Sequence, residues 1–543
     1  MGSMQAAEPR SAKIPTSLGN REESLENHRR ACALAANGQY DGAAQLLADV
    51  HASAGDRGLQ ALAGNDLGVL QAVAGDESAA LAQFDAALTI DPDCRPARTN
   101  RQYLSERSDS PPGRPGEDNR RTRIAVVSLL FNWPSTGGGT IHTKELCQFL
   151  TADGYDVRHF YAACDSFGVG RVSQELPYDS LPIGFDERSW SAAGVRERIR
   201  EHVAAFDPDW VIVTDSWNTK PLLAEAVGDW PYFLRIAALE CVCPLNNVRL
   251  LCEDGRLVQC ERDQLRHPDV CRQCVSTNGR FSGGLHQAER ALAGFEKPDY
   301  SERLQRAFAN AAGVLAVNPT IAGIIRSHTP AVHVIPSGFD RSRFPEEITP
   351  PPRRKGEKVK ILFAGLVDEL MKGFSVLQSA AAKLWEMRQD FELIATADPP
   401  GRVNDSTRLI GWQSQRDLPA VMSDADIVVF PTVAQEALGR SAVEAMGCGR
   451  PVVASRIGGL PWVVGDREAG LLFTPGDADG LCRQLNRLLD DAELRRRMGQ
   501  AGREEFERRF TWDVVLESYR ALFGPAVNAG GATDRGTVEG AFN

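Results

Sequence analysis

The chain reads as an α/β protein of two Rossmann-like domains facing a cleft, with an all-α domain of helical repeats in front of them. Three observations predict this. Short apolar runs of the buried parallel-strand type recur in two series, one opening at Arg123-Ile124-Ala125-Val126-Val127-Ser128-Leu129 and one at Val359, with helix-forming stretches between them. Residues 23–105 are rich in alanine and leucine and read as helical. Segments rich in proline, glycine and charge, at 106–121 and 346–357, separate the parts as linkers.

Composition bounds the function. At 543 residues the chain is too long for one core. Hydrophobic content of 43% and charged content of 24% fit a soluble globular protein. A net charge of −11 argues against nucleic acid as the main partner. No run of about 18 apolar residues predicts a spanning helix, and the opening MGSMQAAEPRS lacks the apolar core of a secretory signal. The expected location is cytoplasmic, with peripheral attachment at the inner membrane face as the alternative. Twelve cysteines in such a chain read as reduced thiols or metal ligands rather than disulfides.

Residues 1–22 are polar and aperiodic and are expected to be unstructured, as is the tail 524–543. Within 23–105, Leu67-Gly68, Gly75, Ala80, Phe84, Ala87 and Pro92 fall at the offsets of a tetratricopeptide repeat, and Gly38, Tyr40, Ala43 and Leu47 form a weaker copy. Small residues let paired helices approach, and Phe84 would fill the gap between pairs. Two repeats suit a protein or peptide groove, docking on the rest of the chain, or homodimerisation.

The first Rossmann-like domain, 122–345, starts with the strand at Arg123. The loop Ser135-Thr136-Gly137-Gly138-Gly139-Thr140 leads into a helix from Ile141 to Leu150. His142, one turn into that helix, is expected on the surface or in packing. Asp209–Asp215 reads as a central strand with Asp215 and Ser216 pointing into the cleft, Tyr232–Ala238 as the next, and Gly313–Asn318 as the last of this half. Between them lies an insert, 241–274, holding Cys241, Cys243, Cys252, Cys260, Cys271 and Cys274. Cys271-x-x-Cys274 could supply one pair of zinc ligands; the irregular spacing leaves a metal-free thiol-rich loop as the rival. The second Rossmann-like domain spans 358–523.

The most informative stretch is Pro431–Gly459, PTVAQEALGRSAVEAMGCGRPVVASRIGG. The strand Ile427–Phe430 ends in a loop carrying Glu436. Gly439 opens a helix through Met446, and Pro451–Ala454 forms the following strand. The amides of Gly439, Arg440 and Ser441 at the helix start suit a phosphate or diphosphate. Glu436 and Glu444, one on each side, suit the diols of a sugar and a ribose.

Glu436, seven residues, Glu444-Ala445-Met446, then Gly449-x-Pro451-Val452-Val453-Ala454 and Gly458-Gly459, together resemble the donor-binding signature of retaining GT-B glycosyltransferases of family four. The resemblance covers about residues 122–523. It implies transfer from a nucleotide-diphosphate sugar, a UDP- or GDP-sugar, with no metal or other cofactor. Glu436 would contact the donor sugar and Glu444 the ribose. Gly439, Arg440 and Ser441 would meet the diphosphate, with Lys372 as its cation. Trp412, in Gly411-Trp412-Gln413, would cup the base, and Gly138 and Gly139 would face the diphosphate and acceptor. Three positions depart from the pattern. Leu366 stands where relatives have an arginine, with Arg440 as a candidate substitute. Leu239-Glu240 replaces a histidine, so Glu240 would take a hydroxyl contact or another role. Trp462 replaces a glutamate.

Overall fold

The computed structural model describes residues 16–104, 120–348 and 356–524, apart from 37–38, 54, 75, 93, 95, 99, 102–103, 136, 254–255, 280–281 and 466–467. Most of the two expected linkers, residues 1–15 of the N-terminal stretch and nearly all of the tail lie outside the described residues. The chain divides into two compact units near residue 119.

The first unit is helical: α1 (Thr16–Ala36), α2 (Tyr40–Ser53), α3 (Arg57–Val73) and α4 (Glu77–Ile90). Residues 16–22, expected to be unstructured, are the first turns of α1; a helix once nucleated extends through polar residues that allow it. Asp56 and Asp76 cap α3 and α4 by accepting from the Leu59 and Ala79 amides. A Cβ on Gly68 would lie 2.6 Å from the Phe84 ring, so α3 and α4 meet as closely as glycine permits. Of the residues placed in repeat offsets, Gly38 and Gly75 lie outside the described residues, and Tyr40 is half exposed.

The second unit holds two seven-stranded sheets. In the first, β1 (Arg123–Ser128), β2 (Asp156–Ala163), β3 (Ser180–Gly184), β4 (Trp210–Thr214), β5 (Tyr232–Ile236), β8 (Gly313–Ala316) and β9 (Val332–Val334) take the order β3-β2-β1-β4-β5-β8-β9, all parallel. The second has the order β12-β13-β11-β10-β14-β15-β16, from β10 (Val359–Phe363), β11 (Phe391–Ala395), β12 (Gly401–Arg402), β13 (Thr407–Leu409), β14 (Ile427–Phe430), β15 (Val452–Ser455) and β16 (Gly470–Phe473). Only β12 runs antiparallel. Central strands such as β4 and β15 are buried along almost their whole length, as sheets covered on both faces require. The strand at Gly313 is not the last of its half: β9 pairs beyond it. β6 (Leu250–Glu253) and β7 (Arg256–Gln259) form an antiparallel hairpin in the cysteine-bearing insert.

The C-terminal helix Trp512–Phe523 returns to the first sheet. Trp512, Val515, Leu516, Tyr519 and Phe523 share a core with Ile124, Val126 and Leu146. Among the described residues no helix is long and apolar enough to cross a membrane.

Candidate active site

The loops after β1, β4, β5, β10 and β14 leave the carboxyl ends of their strands and meet around a cleft of about 510 Å³. Open parallel sheets bind ligands at that edge, and the volume suits a small molecule. All nine residues singled out above line this one cleft: Gly138, Gly139, Lys372, Trp412, Glu436, Gly439, Arg440, Ser441 and Glu444.

Glu436 is placed by backbone contacts. The amide of Gly459 donates to the Glu436 carbonyl at 2.7 Å. A Cβ on Gly458 would sit 2.2 Å from that carbonyl, and one on Gly459 would sit 1.9 Å from the Ala437 carbonyl. Only two glycines let the β15 turn support the Glu436 loop this closely. The Lys372 ammonium bonds Glu436 Oε1 at 2.7 Å. Burial works against that ammonium, and the Glu436 charge and hydrogen bond, joined by Glu369, more than offset it, so its pKa is raised.

The helix Arg440–Gly447 starts from Gly439, whose φ of 69° is left-handed and whose missing Cβ makes room for Leu460. Its first amides therefore face the cleft without a capping side chain. Glu444, one turn in, is buried, and its Oε1 has no hydrogen-bond partner. Arg343 stands 3.7 Å from that oxygen. Burial raises the Glu444 carboxyl, Arg440 and Arg343 pull it back, and Glu145 adds to the rise. A buried carboxylate oxygen without a donor is costly unless a ligand supplies one.

The Arg440 side chain does not lie open in place of a diphosphate-binding arginine. Its Nη2 bonds Glu145 across the cleft at 3.1 Å, and the guanidinium lies 4.3 Å over the Phe339 ring. At Leu366 the side chain is exposed on the cleft wall. Trp412 is 46% exposed, leaving a free aromatic face at the rim. Glu240 lines the cleft, and its two oxygens accept from the Ala237 and Ala238 amides at 2.7 and 2.6 Å, with Lys220 at 3.6 Å. It fixes the turn after β5. Trp462 does not reach the cleft; it lies under the Arg509 guanidinium, 4.2 Å away, and against Phe510. His142 is buried and stacks on Trp512 at 5.7 Å, a packing role.

On the opposite wall the helix Gly138–Ala152 also presents its N-terminus. Beside it Asp215, at the tip of β4, holds φ at 46°, a strained value for a side-chain-bearing residue. Its Oδ1 accepts from Thr140 at 3.4 Å, and its Oδ2 has no partner. Burial lifts its carboxyl to about 6 against the Thr140 hydrogen bond. The cross-cleft residues Glu145, Arg343 and Phe339 carry no local motif. The acidic tip of a central strand was the one signal that could mark Asp215.

Two Rossmann-like lobes with opposed loop edges and a helix N-terminus on each wall define the GT-B class of fold. Residues 345–505 match the family described as Glycosyl transferases group 1. Over 207 residues the chain is 33% identical to the MMP alpha-(1->4)-mannosyltransferase of Mycolicibacterium hassiacum, covering 36% of this chain and 49% of that relative. It spans about half the length of the curated relatives it matches. Sucrose-phosphate synthase from Thermosynechococcus elongatus shares the fold with a TM-score of 0.53 and 19% identity, over 74% of this chain and 99% of that one. HepE of Anabaena, solved with UDP and glucose, gives 0.50 and 16% over 74% and 99%.

Proposed function

We propose that the chain is a retaining, metal-independent glycosyltransferase that moves a sugar from a nucleotide-diphosphate donor to an acceptor hydroxyl. One observation carries this reading: the Lys372–Glu436 pair sits beside the uncapped start of helix Arg440–Gly447, with the Glu444 oxygen that lacks a hydrogen-bond donor beyond it, in one cleft. A diphosphate accepts hydrogen bonds from the Gly439–Ser441 amides and a charge from Lys372, which stabilises it as it leaves. Glu444 takes the ribose diol, Trp412 the base, and Glu436 a hydroxyl of the transferred sugar. Gly138 and Gly139 let the acceptor and diphosphate approach the opposite wall. The leaving phosphate takes the acceptor proton on the face it departs from, so no dedicated base is needed.

The donor is a UDP- or GDP-sugar; the UDP and glucose bound to HepE favour UDP. A saccharide acceptor is supported by the alpha-(1->4)-mannosyl transfer of the Mycolicibacterium hassiacum relative. The helical unit, read as tetratricopeptide-like, supports a second reading in which a protein or peptide acceptor docks there, or the unit mediates a homodimer. The site of action is cytoplasmic, or peripheral at the inner membrane face.

Incubation with UDP- and GDP-sugars and a panel of acceptors, with the product anomer read by NMR, tests the reading. Glu436→Ala should lower transfer by about 10²–10³-fold with the far-UV spectrum unchanged. Wild-type turnover in that variant would remove Glu436 from the sugar site. No thermal stabilisation by any nucleotide would favour a repeat-bearing scaffold that has lost catalysis.

A further inference from the structure

Four charged side chains alternate in sign across the cleft: Glu444, Arg343, Glu145 and Arg440. Glu444 is buried, and its Oε1 has no hydrogen-bond donor. Arg343 Nη2 stands 3.7 Å from that oxygen, near enough to stabilise its charge and too far to occupy it as a hydrogen bond. Arg343 is itself held in place. Its Nη2 donates to the Gln415 carbonyl at 2.6 Å, in the loop that carries Trp412, and its Nη1 lies 3.6 Å from Glu145 Oε1. The turn Arg341–Arg343 is fixed by Asp340, which accepts from the Ser342 amide at 3.0 Å. Phe344, next in the chain, is buried with its ring centroid 4.7 Å from that of Phe506. Glu145 comes from the other lobe, on the helix Gly138–Ala152, where it is buried. Its Oε2 accepts from Arg440 Nη2 at 3.1 Å. A Cβ on Gly138 would lie 3.2 Å from Arg440 Cδ, so the glycine at that helix start also leaves the lane by which Arg440 reaches Glu145.

We propose that Glu145 and Arg343 are positioning residues for the nucleotide: Glu145, from the first lobe, holds Arg343 where it keeps Glu444 charged without covering the oxygen that takes a ribose hydroxyl. The proposal rests on the donor reading given above. Only an ionised carboxylate offers all its lone pairs to the two hydroxyls of a diol, and burial alone favours the neutral acid. Burial does raise the Glu444 carboxyl, and Arg440 and Arg343 pull it back. A cation in direct contact would also keep the charge, but it would take the oxygen that the ribose needs. The 3.7 Å separation meets both demands.

The two positioning residues fail in different ways. Without the Glu145 charge, Arg343 and Arg440 lose the carboxylate between them. Guanidinium groups with so little exposure are costly without a counter-ion, so they close on Glu444 and occupy Oε1. Glu444 stays charged but is no longer available to the ribose. Without the Arg343 charge, Oε1 stays uncovered but its ionisation loses support. Lysine at 343 keeps that support, because at 3.7 Å the charge acts and the fork geometry of arginine does not.

Calorimetric binding of UDP and GDP to the full chain, each compared with its 2′,3′-dideoxy counterpart, tests this. The wild-type chain should prefer the ribonucleotide by about tenfold, as hydrogen bonds to a charged group give. Glu145→Gln and Arg343→Gln should each weaken the ribonucleotide by about tenfold and leave the dideoxy form within about twofold. Arg343→Lys should keep most of the preference for ribose. An equal loss for both forms would overturn the proposal, because a residue that only holds the lobes together affects them alike. Unchanged binding in both glutamine variants would overturn it too. Should Glu145→Gln fail to fold, the contrast between Arg343→Gln and Arg343→Lys decides. A wild-type chain that binds both forms equally would take Glu444 off the ribose, and the proposal with it. One that binds no nucleotide at all would overturn the functional reading itself.

Discussion

Asp215 faces the cleft from the first lobe with one oxygen bonded to Thr140 and the other without a partner. Its carboxyl prefers its proton in the fold up to a pH of about 6, against an ordinary value of 3.8. The native state therefore binds more protons than the unfolded chain between those values, and stability falls as pH rises through that window. Above pH 6 the full cost of a buried, half-partnered carboxylate is present. Asp215→Asn should raise Tm at pH 7.5, by on the order of 2–4 °C, and leave it unchanged below pH 4. The same variant should flatten any limb near pH 6 in the rate of transfer, because the group that ionises there faces the acceptor-side wall. A Tm that drops at pH 7.5 would show the carboxylate to be a net structural asset instead. Lys372 and Glu436 contrast with Asp215: each is satisfied by the other.

At the scale of elements, the turn after β15 controls the loop after β14. Gly459→Ala would place a methyl 1.9 Å from the Ala437 carbonyl, and the Glu436 loop would have to move. Overpacking of this kind costs about 1–3 kcal/mol, and a displacement of about 1 Å at a reacting group costs roughly 10²-fold in rate. Transfer should fall by that factor with the fold intact by circular dichroism; a rate within twofold of wild type would mean the loop absorbs the methyl elsewhere. This part of the site was legible because Glu436, Gly439, Glu444 and Gly458-Gly459 lie in one stretch, where strand, helix start and turn leave local signals. Arg440 and Glu145, 295 positions apart, leave none: their pairing exists only once the lobes meet. The same holds for Trp512 over His142, so nothing in the sequence marked that histidine as buried. β3 was hidden by Pro182 in a short edge strand.

At the scale of the whole molecule, the two compact units answer to different conditions. In the helical unit, among the residues of α1 whose burial is described, Ser24, His28 and Ala31 are buried. His28 Nε2 lies 2.9 Å from Asp66 Oδ2 on α3. Hydrogen bonds to Asp66 and Cys32 raise its pKa from 6.5 to about 9, against the effect of burial. A histidine raised in the fold contributes fully below pH 6.5, and that contribution is lost as pH climbs through about 9. A pair with one partner buried and the other partly exposed falls between surface and interior ion pairs, on the order of 1–3 kcal/mol. Calorimetry of the full chain should show the helical unit's transition falling in temperature between pH 6.5 and 9.5. His28→Gln should lower that transition at pH 6 and remove its slope with pH. Nucleotide marks the other unit independently: a ligand of the cleft raises only the transition of the unit that binds it. If His28→Gln keeps the wild-type slope, the alkaline loss arises from other groups, and α1 is held to α3 by packing rather than by charge.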